Sequence, residues 1–252
     1  MNRLKKLGYA IGGFAILLLI WQMISWFGGY NAALFPPPIK VWRAFIELSK
    51  SGTLWVDLQI SLFRFFTGYL TAAIAGVTLG LIIGRMNVLW SLLDPIVQVL
   101  RPVAPIAWSP IIILWFNLGS ASAIVIIFIA AFYPMLLTTV SAIRKVDTNY
   151  LRVAQNFEFN RRELTAKVII PAIFPQITHG LRIALGTAWI FLVSGEMVGA
   201  QSGLGYLIID GRNLLRLDYV FVGIIVIGLC GMLLDKAIQW FERRVERKWG
   251  YE

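Results

Sequence analysis

Charge is scarce in this chain. Only 14% of its 252 residues are Asp, Glu, Lys or Arg, 58% are hydrophobic, and the mean hydropathy is +0.74. A soluble domain carries roughly a quarter of its residues charged, so this composition excludes that class. Cysteine is nearly absent as well: the lone Cys230 lies in an apolar block and reads as a small buried hydrophobe, which leaves neither a disulfide framework nor a cysteine metal cluster. The single histidine, His179, has no patterned Asp, Glu or Cys around it, so no metal site is expected. No Gly-x-x-x-x-Gly-Lys-Ser/Thr segment occurs, and neither ATP binding nor any other cofactor is assigned to the chain. The apolar blocks hold no paired acid and base, activated nucleophile or metal cluster, which weighs against a membrane-embedded enzyme. Acidic residues number 13 against 23 Lys and Arg, a net charge of +10. The basic residues flank apolar blocks and form no aromatic-interleaved stripe, so membrane topology explains them better than nucleic acid does.

What is present is oil in membrane-length blocks. Gly8 to Phe27 follows Arg3, Lys5 and Lys6 and reads as a retained first span, since Ser25-Trp-Phe-Gly makes a poor cleavage site. Three prolines, Pro36 to Pro38, then forbid helix, and Ile39 to Leu48 reads as an amphipathic interfacial helix with Trp42, Phe45 and Ile46 on or near one face. Ile60 to Gly84 is the second span, interrupted by Arg64 and lined by Gly68, Ala72, Ala73, Gly76 and Gly80, small residues that permit close helix contact. The third, "WSLLDPIVQVLRPVAPIAWSPIIILWF", contains Pro95, Pro102, Pro105 and Pro110 and must bend or break, which marks it as a pathway element. Ala121 to Ile143, Ile177 to Val198 and Val220 to Ile238 complete six spans, and no soluble domain is appended. With both termini cytoplasmic, fifteen basic residues fall inside and five outside, as the positive-inside bias requires. The expectation is an all-α polytopic protein, residues 1–252 forming one transmembrane domain with a cytoplasmic loop at 145–175.

That loop holds "RVAQNFEFNRRELTAKVIIP", Arg152 to Pro171. Asn160 and Glu163 stand as N-cap and N3 of a possible capping box that starts a helix at Arg161. Leu164 and Val168 line its apolar face, Arg162 and Lys167 its flanks, and Pro171 stops it. A second short stretch precedes it around Leu151 and Ala154. Two such helices suit insertion into a partner's cleft; a loop lying on anionic headgroups is the plainer alternative.

The stretch resembles the cytoplasmic loop signature of bacterial ABC-importer permeases, commonly Glu-Ala-Ala, three residues, Gly, nine residues, then Ile-x-Leu-Pro. Ala154 matches the second alanine, Val168 and Ile170-Pro171 the closing end; Arg152 stands at the glutamate, Val153 at the first alanine and Glu158 at the glycine. "LDPIVQVLRPVAPIAWSPIIILWF", "GLRIALGTAWIFLVSGEMVGAQSGLGYLI" and "LFPPP" are similar to the nitrate, bicarbonate, taurine and aliphatic sulfonate branch. The resemblance implies a six-span subunit of a bacterial inner membrane, paired with a second permease copy, two cytoplasmic ATPases that use ATP and Mg²⁺, and an extracytoplasmic substrate-binding protein. It further implies that Arg152, Ala154, Glu158, Asn160, Arg161, Arg162, Glu163, Leu164 and Pro171 couple the chain to the ATPases.

Polar residues within spans carry two readings each. Arg101, in the broken third span, is either an anion-attracting pathway residue or a structural ion pair. Glu196, near the outer end of the fifth, is either a structural or gating partner or a pathway residue. Trp108, Trp115, Asn117 and Trp189 line a pathway or pack helices; Arg182 reads as an interface anchor. "SGLGYLI" from Ser202 offers a flexible gate or re-entrant turn. An ATP-independent carrier or channel is the alternative class.

Overall fold

The computed structural model describes residues 3–27, 34–146, 157, 159–160 and 163–249, with side chains described except at 3–7, 10–11 and 245–249. Every regular element among them is helical: α1 (Arg3–Phe27), α2 (Pro38–Lys50), α3 (Thr53–Ile83), α4 (Asn87–Leu100), α5 (Ser109–Phe116), α6 (Ser120–Arg144), α7 (Ile170–Gly199), α8 (Leu204–Asn213) and α9 (Leu217–Trp249). By length and composition, α3, α6, α7 with its leading turn, and α9 can each cross a bilayer. The helices α4 and α5 are bent by 87° about a short 3₁₀ turn at Pro105–Trp108, the geometry of a broken span or a re-entrant loop. Pro102, Pro105 and Pro110 cause the break by removing backbone donors and fixing φ. With α1, the six expected apolar segments are all helical.

The center is α6, packed by α3 on one side and α7 on the other. Small residues make the approach possible, as the sequence anticipates: a Cβ on Gly68 would lie 2.8 Å from Ile127 Cβ, and one on Gly80 would lie 2.7 Å from Thr139 Cβ. Around this seam Phe65, Tyr69, Met135, Ala184, Trp189 and Leu192 form the main core. Phe65 meets Trp189 edge-on at 5.2 Å between ring centroids. The polar tips are satisfied, the Tyr69 hydroxyl donating to Leu181 O at 2.9 Å and Trp189 Nε1 to Ile227 O at 3.2 Å. Trp189 is therefore a packing residue.

In α2 the packed face is Val41, Ala44 and Leu48, set against α9 and α3 in a cluster that also holds Leu204 and Leu207, while Trp42 and Ile46 are exposed. One expectation is corrected: Pro171 does not stop a short helix. A π-helical turn at Leu164–Ile169 widens the backbone just before it, and the helix continues through Pro171 and Pro175 to Gly199. A wider turn offers room for a residue that lacks an N–H and crowds the preceding turn. The "SGLGYLI" stretch opens α8, with Leu204 and Leu207 buried.

Candidate functional site

Two features gather the chemistry of this chain. The first is a buried polar knot where α3, α7 and α8 meet. Asp57, Ser61 and Arg64 are spaced i, i+4, i+7 on α3 and are all buried, and Glu196 of α7 is fully buried opposite them. Arg64 NH1 contacts Glu196 Oε1 at 2.9 Å and donates to Ser202 O at 2.7 Å; NH2 reaches Ser202 Oγ at 2.8 Å and Nε reaches Ser120 Oγ at 3.0 Å. The remaining acceptors hold the N-terminus of α8, whose N-cap is Gly203, with no side-chain oxygen of its own. Gly203 N–H donates to Asp57 Oδ1 (2.7 Å), Leu204 N–H to Ser61 Oγ (2.8 Å) and Gly205 N–H to Glu196 Oε2 (2.9 Å). Three orphan amides and the positive end of a helix are thus met by groups from two other helices. Gly203 adopts φ 101°, and a Cβ on Gly205 would stand 2.6 Å from Val193 O, so both positions require glycine.

The second feature is a cavity of about 790 Å³ bounded by the α4–α5 break, α6 and α7. Arg101, Lys145 and His179 line it together with Thr138, Ser141 and Gln176, and among the described residues no carboxylate does. Of the expected pathway residues only Arg101 lies there. Trp108 is half-buried in the 3₁₀ turn, Trp115 is exposed, and Asn117 is an exposed residue at φ 61° that ends α5 and accepts a hydrogen bond from Ser122 through its carbonyl. Glu196 is sealed in the knot, away from this cavity. Arg182 pairs with Asp235 at 3.3 Å and lies 3.7 Å from Glu242, both on α9.

The expected capping box is present. Glu163 N–H donates to Asn160 Oδ1 at 2.9 Å and Asn160 N–H to Glu163 Oε2 at 3.2 Å, while Lys167 Nζ pairs with Glu163 Oε1 at 3.0 Å. The hydrogen bond from Lys167, then that from the Asn160 amide, holds the Glu163 carboxyl below its ordinary range. Leu164 is half-buried, packed against the cluster of Ala142, Ile169, Ile173 and Ile177. Arg152, Ala154, Glu158, Arg161 and Arg162 lie outside the described residues.

The residues that sequence reasoning passed over are Asp57 and Ser61, and the partnership of Arg64 with Glu196. A signal existed: three polar side chains at helical spacing at the start of an apolar span can only share one inward face.

A helical membrane protein with a broken third span, a packed α3–α6–α7 core and a short helix before the last span has the fold of an ABC-transporter permease. The methionine ABC transporter MetNI, in inward-facing crystal forms, contains a chain that superposes with a TM-score of 0.63 over 78% of this chain and 97% of its own, at 18% identity. The chain itself belongs to the family described as binding-protein-dependent transport system inner membrane component, which residues 76–247 match. It is 38% identical over 235 residues to a protein of Bacillus subtilis (strain 168) named for aliphatic sulfonates transport, SsuC, covering 93% of this chain and 85% of the relative. It is 37% identical over 239 residues to the nitrate import permease protein NrtB of Leptolyngbya laminosa (92% and 85% covered). To the bicarbonate transport system permease protein CmpB of Synechococcus elongatus it is 32% identical over 250 residues (94% and 88%). The chain is thus a multi-pass inner-membrane transport component.

Proposed function

We propose that this chain is the permease subunit of an ATP-driven importer for a small anionic solute of the nitrate, bicarbonate, taurine or sulfonate group, working by alternating access. The observation that carries the reading is similarity along more than nine-tenths of the chain to permeases named for such solutes. In this reading the chain pairs with a second permease copy, two cytoplasmic ATPases that consume ATP and Mg²⁺, and an extracytoplasmic binding protein. Both termini face the cytoplasm, as do the 145–175 segment and the α6 end bearing Arg144 and Lys145.

The residues from Arg152 to Leu164 dock into the ATPase, and α7 carries its movement inward. Asn160 and Glu163 brace the start of that helix by their reciprocal hydrogen bonds, and continuity from Leu164 to Gly199 makes docking segment and span one rigid element. At the far end Glu196 ties α7 to α3 and α8, so a tilt of α7 moves a packed group of helices. Coupling needs such a chain of packed elements and no catalytic residue.

Reconstitution with the partner ATPase and binding protein tests the proposal: uptake of nitrate, bicarbonate, taurine or ethanesulfonate into vesicles should require ATP hydrolysis. Uptake that persists with a hydrolysis-dead ATPase would assign the chain to ATP-independent carriers instead.

A further inference from the structure

The cavity beside the α4–α5 break has an unbalanced charge. Arg101 enters it from the break, Lys145 from the C-terminal end of α6 and His179 from α7. Three other basic residues are paired, Lys167 with Glu163, Arg182 with Asp235 and Arg216 with Glu47. The exposed side chains of Arg101, Lys145 and His179 have no ionic or hydrogen-bonded partner among the described residues, and among those residues the lining contains no Asp or Glu. Arg101 and Lys145, both exposed, border one opening with apolar walls such as Ile129, Leu137 and Phe191, and an anion bound there is favored by both charges. Its volume, about 790 Å³, suits a small-molecule site.

We infer that this cavity binds the transported solute by its oxyanion group, and that it selects anions carrying no ammonium group. This rests on the importer reading and narrows it. Arg101 supplies a planar fork of donors for two oxygens, Lys145 a point charge and His179 a ring N–H. An ammonium on the same solute meets two cations and no carboxylate, so nitrate, bicarbonate and alkanesulfonates fit where a zwitterionic aminosulfonate such as taurine does not.

Ethanesulfonate and taurine differ essentially by that ammonium and make a matched pair of probes. Their equilibrium binding is measured on the purified permease–ATPase complex in phosphatidylcholine nanodiscs, with no binding protein to impose its own selectivity. Ethanesulfonate should bind at least about tenfold more tightly than taurine, and Arg101→Gln and Lys145→Gln should each weaken it about tenfold, the scale of one charge-assisted hydrogen bond. Arg101→Lys should recover most of the loss, and all variants should assemble as wild type does. Equal binding of the two probes, no ethanesulfonate binding, or an Arg101→Gln complex unchanged in affinity overturns the assignment. Full displacement of ethanesulfonate by phosphatidylglycerol at low mole fraction overturns it too, in favor of a lipid-phosphate site. ATP-dependent uptake by the wild-type complex is scored separately: its absence defeats the importer reading, whereas uptake without the expected discrimination defeats the cavity assignment alone.

Discussion

Replacing Arg64 with methionine isolates what the buried knot contributes. The guanidinium makes four polar contacts of 2.7–3.0 Å, to Glu196, to the carbonyl and hydroxyl of Ser202, and to Ser120. Methionine fills much of the same volume, so the packing loss is small and the electrical one dominates. Glu196, fully buried, keeps Ser61 Oγ and the Gly205 amide but loses its only cation among the described residues. Stranding one member of a buried pair costs about 3–5 kcal/mol. At about 2–4 °C per kcal/mol for a chain of this size, the melting temperature should fall by about 10 °C. The lone Cys230 supplies the assay, because it is half-buried on α9 against both principal apolar clusters and becomes reactive as they separate. A thiol-reactive dye added to detergent-purified protein reads that transition directly. Glu196→Gln alone is also costly, since its amide hydrogens face existing donors. The double variant should lose less than the sum, with a coupling of about 1–3 kcal/mol. Additivity within about 0.5 kcal/mol, or an Arg64→Met melting curve superimposable on wild type, would refute the coupled-knot argument.

Gly205→Ala places a methyl 2.6 Å from Val193 O and 2.7 Å from Glu196 Cβ, so α8 must shift; a loss of about 1–3 kcal/mol in the same melting assay is expected, while Gly186→Ala, with open space at its Cβ, should be neutral. Asn160→Ala removes one half of the capping box and should destabilize the start of the α7 unit by about 1 kcal/mol, read as reduced ATPase recovery on co-purification with membrane insertion intact. Glu47 accepts from Tyr219 at 2.7 Å and Arg216 at 2.9 Å; the tyrosine bond first, then the arginine, holds its carboxyl below the ordinary 4.5. A depressed folded value stabilizes above the unfolded one, so wild type should melt higher than Glu47→Gln at neutral pH, and the difference should shrink as pH drops below 4.5.

The spans were legible because the bilayer imposes a length that apolar blocks report directly, and the prolines at 102, 105 and 110 forced a break that the structure places there with a bend of 87°. The glycine and alanine positions of α3 marked a close-packing face in advance, since closeness without a lipid-driven hydrophobic force needs small residues, and the structure sets α6 against it. The knot was less legible. Glu196 and Arg64 are 132 residues apart, and nothing local says that two polar residues so distant will meet. The i, i+4, i+7 stripe of Asp57, Ser61 and Arg64 shows only that α3 has a polar face, and its partners depend on how α8 docks. Pro171 misled for a different reason: a local breaker was read without the π-helical turn that absorbs it, and such a turn has no reliable sequence mark.

Three functions of the proposed mechanism fall on one helix, and their spacing decides where each lies relative to the bilayer. From Leu164 to Gly199 the element counts 36 residues, roughly 54 Å at about 1.5 Å each, against a hydrocarbon core of about 30 Å. Tilt takes up a few ångströms of that excess, so the helix must project beyond the membrane. Its buried, bilayer-length part runs from Ile173 to Gly199, with His179 near one end and Glu196 near the other. The projecting end is the one carrying Lys167, Leu164 and the Asn160–Glu163 cap. In the proposed mechanism this rod, protruding at its capped end, bordering the basic cavity at His179 and anchored through Glu196 to α3 and α8, acts as a lever. A small tilt imposed on the protruding end changes the cavity wall and the anchored helices together. Severing the anchor with Arg64→Met should therefore uncouple ATP hydrolysis from uptake more than it weakens solute binding, because the cavity residues Arg101 and Lys145 take no part in the knot.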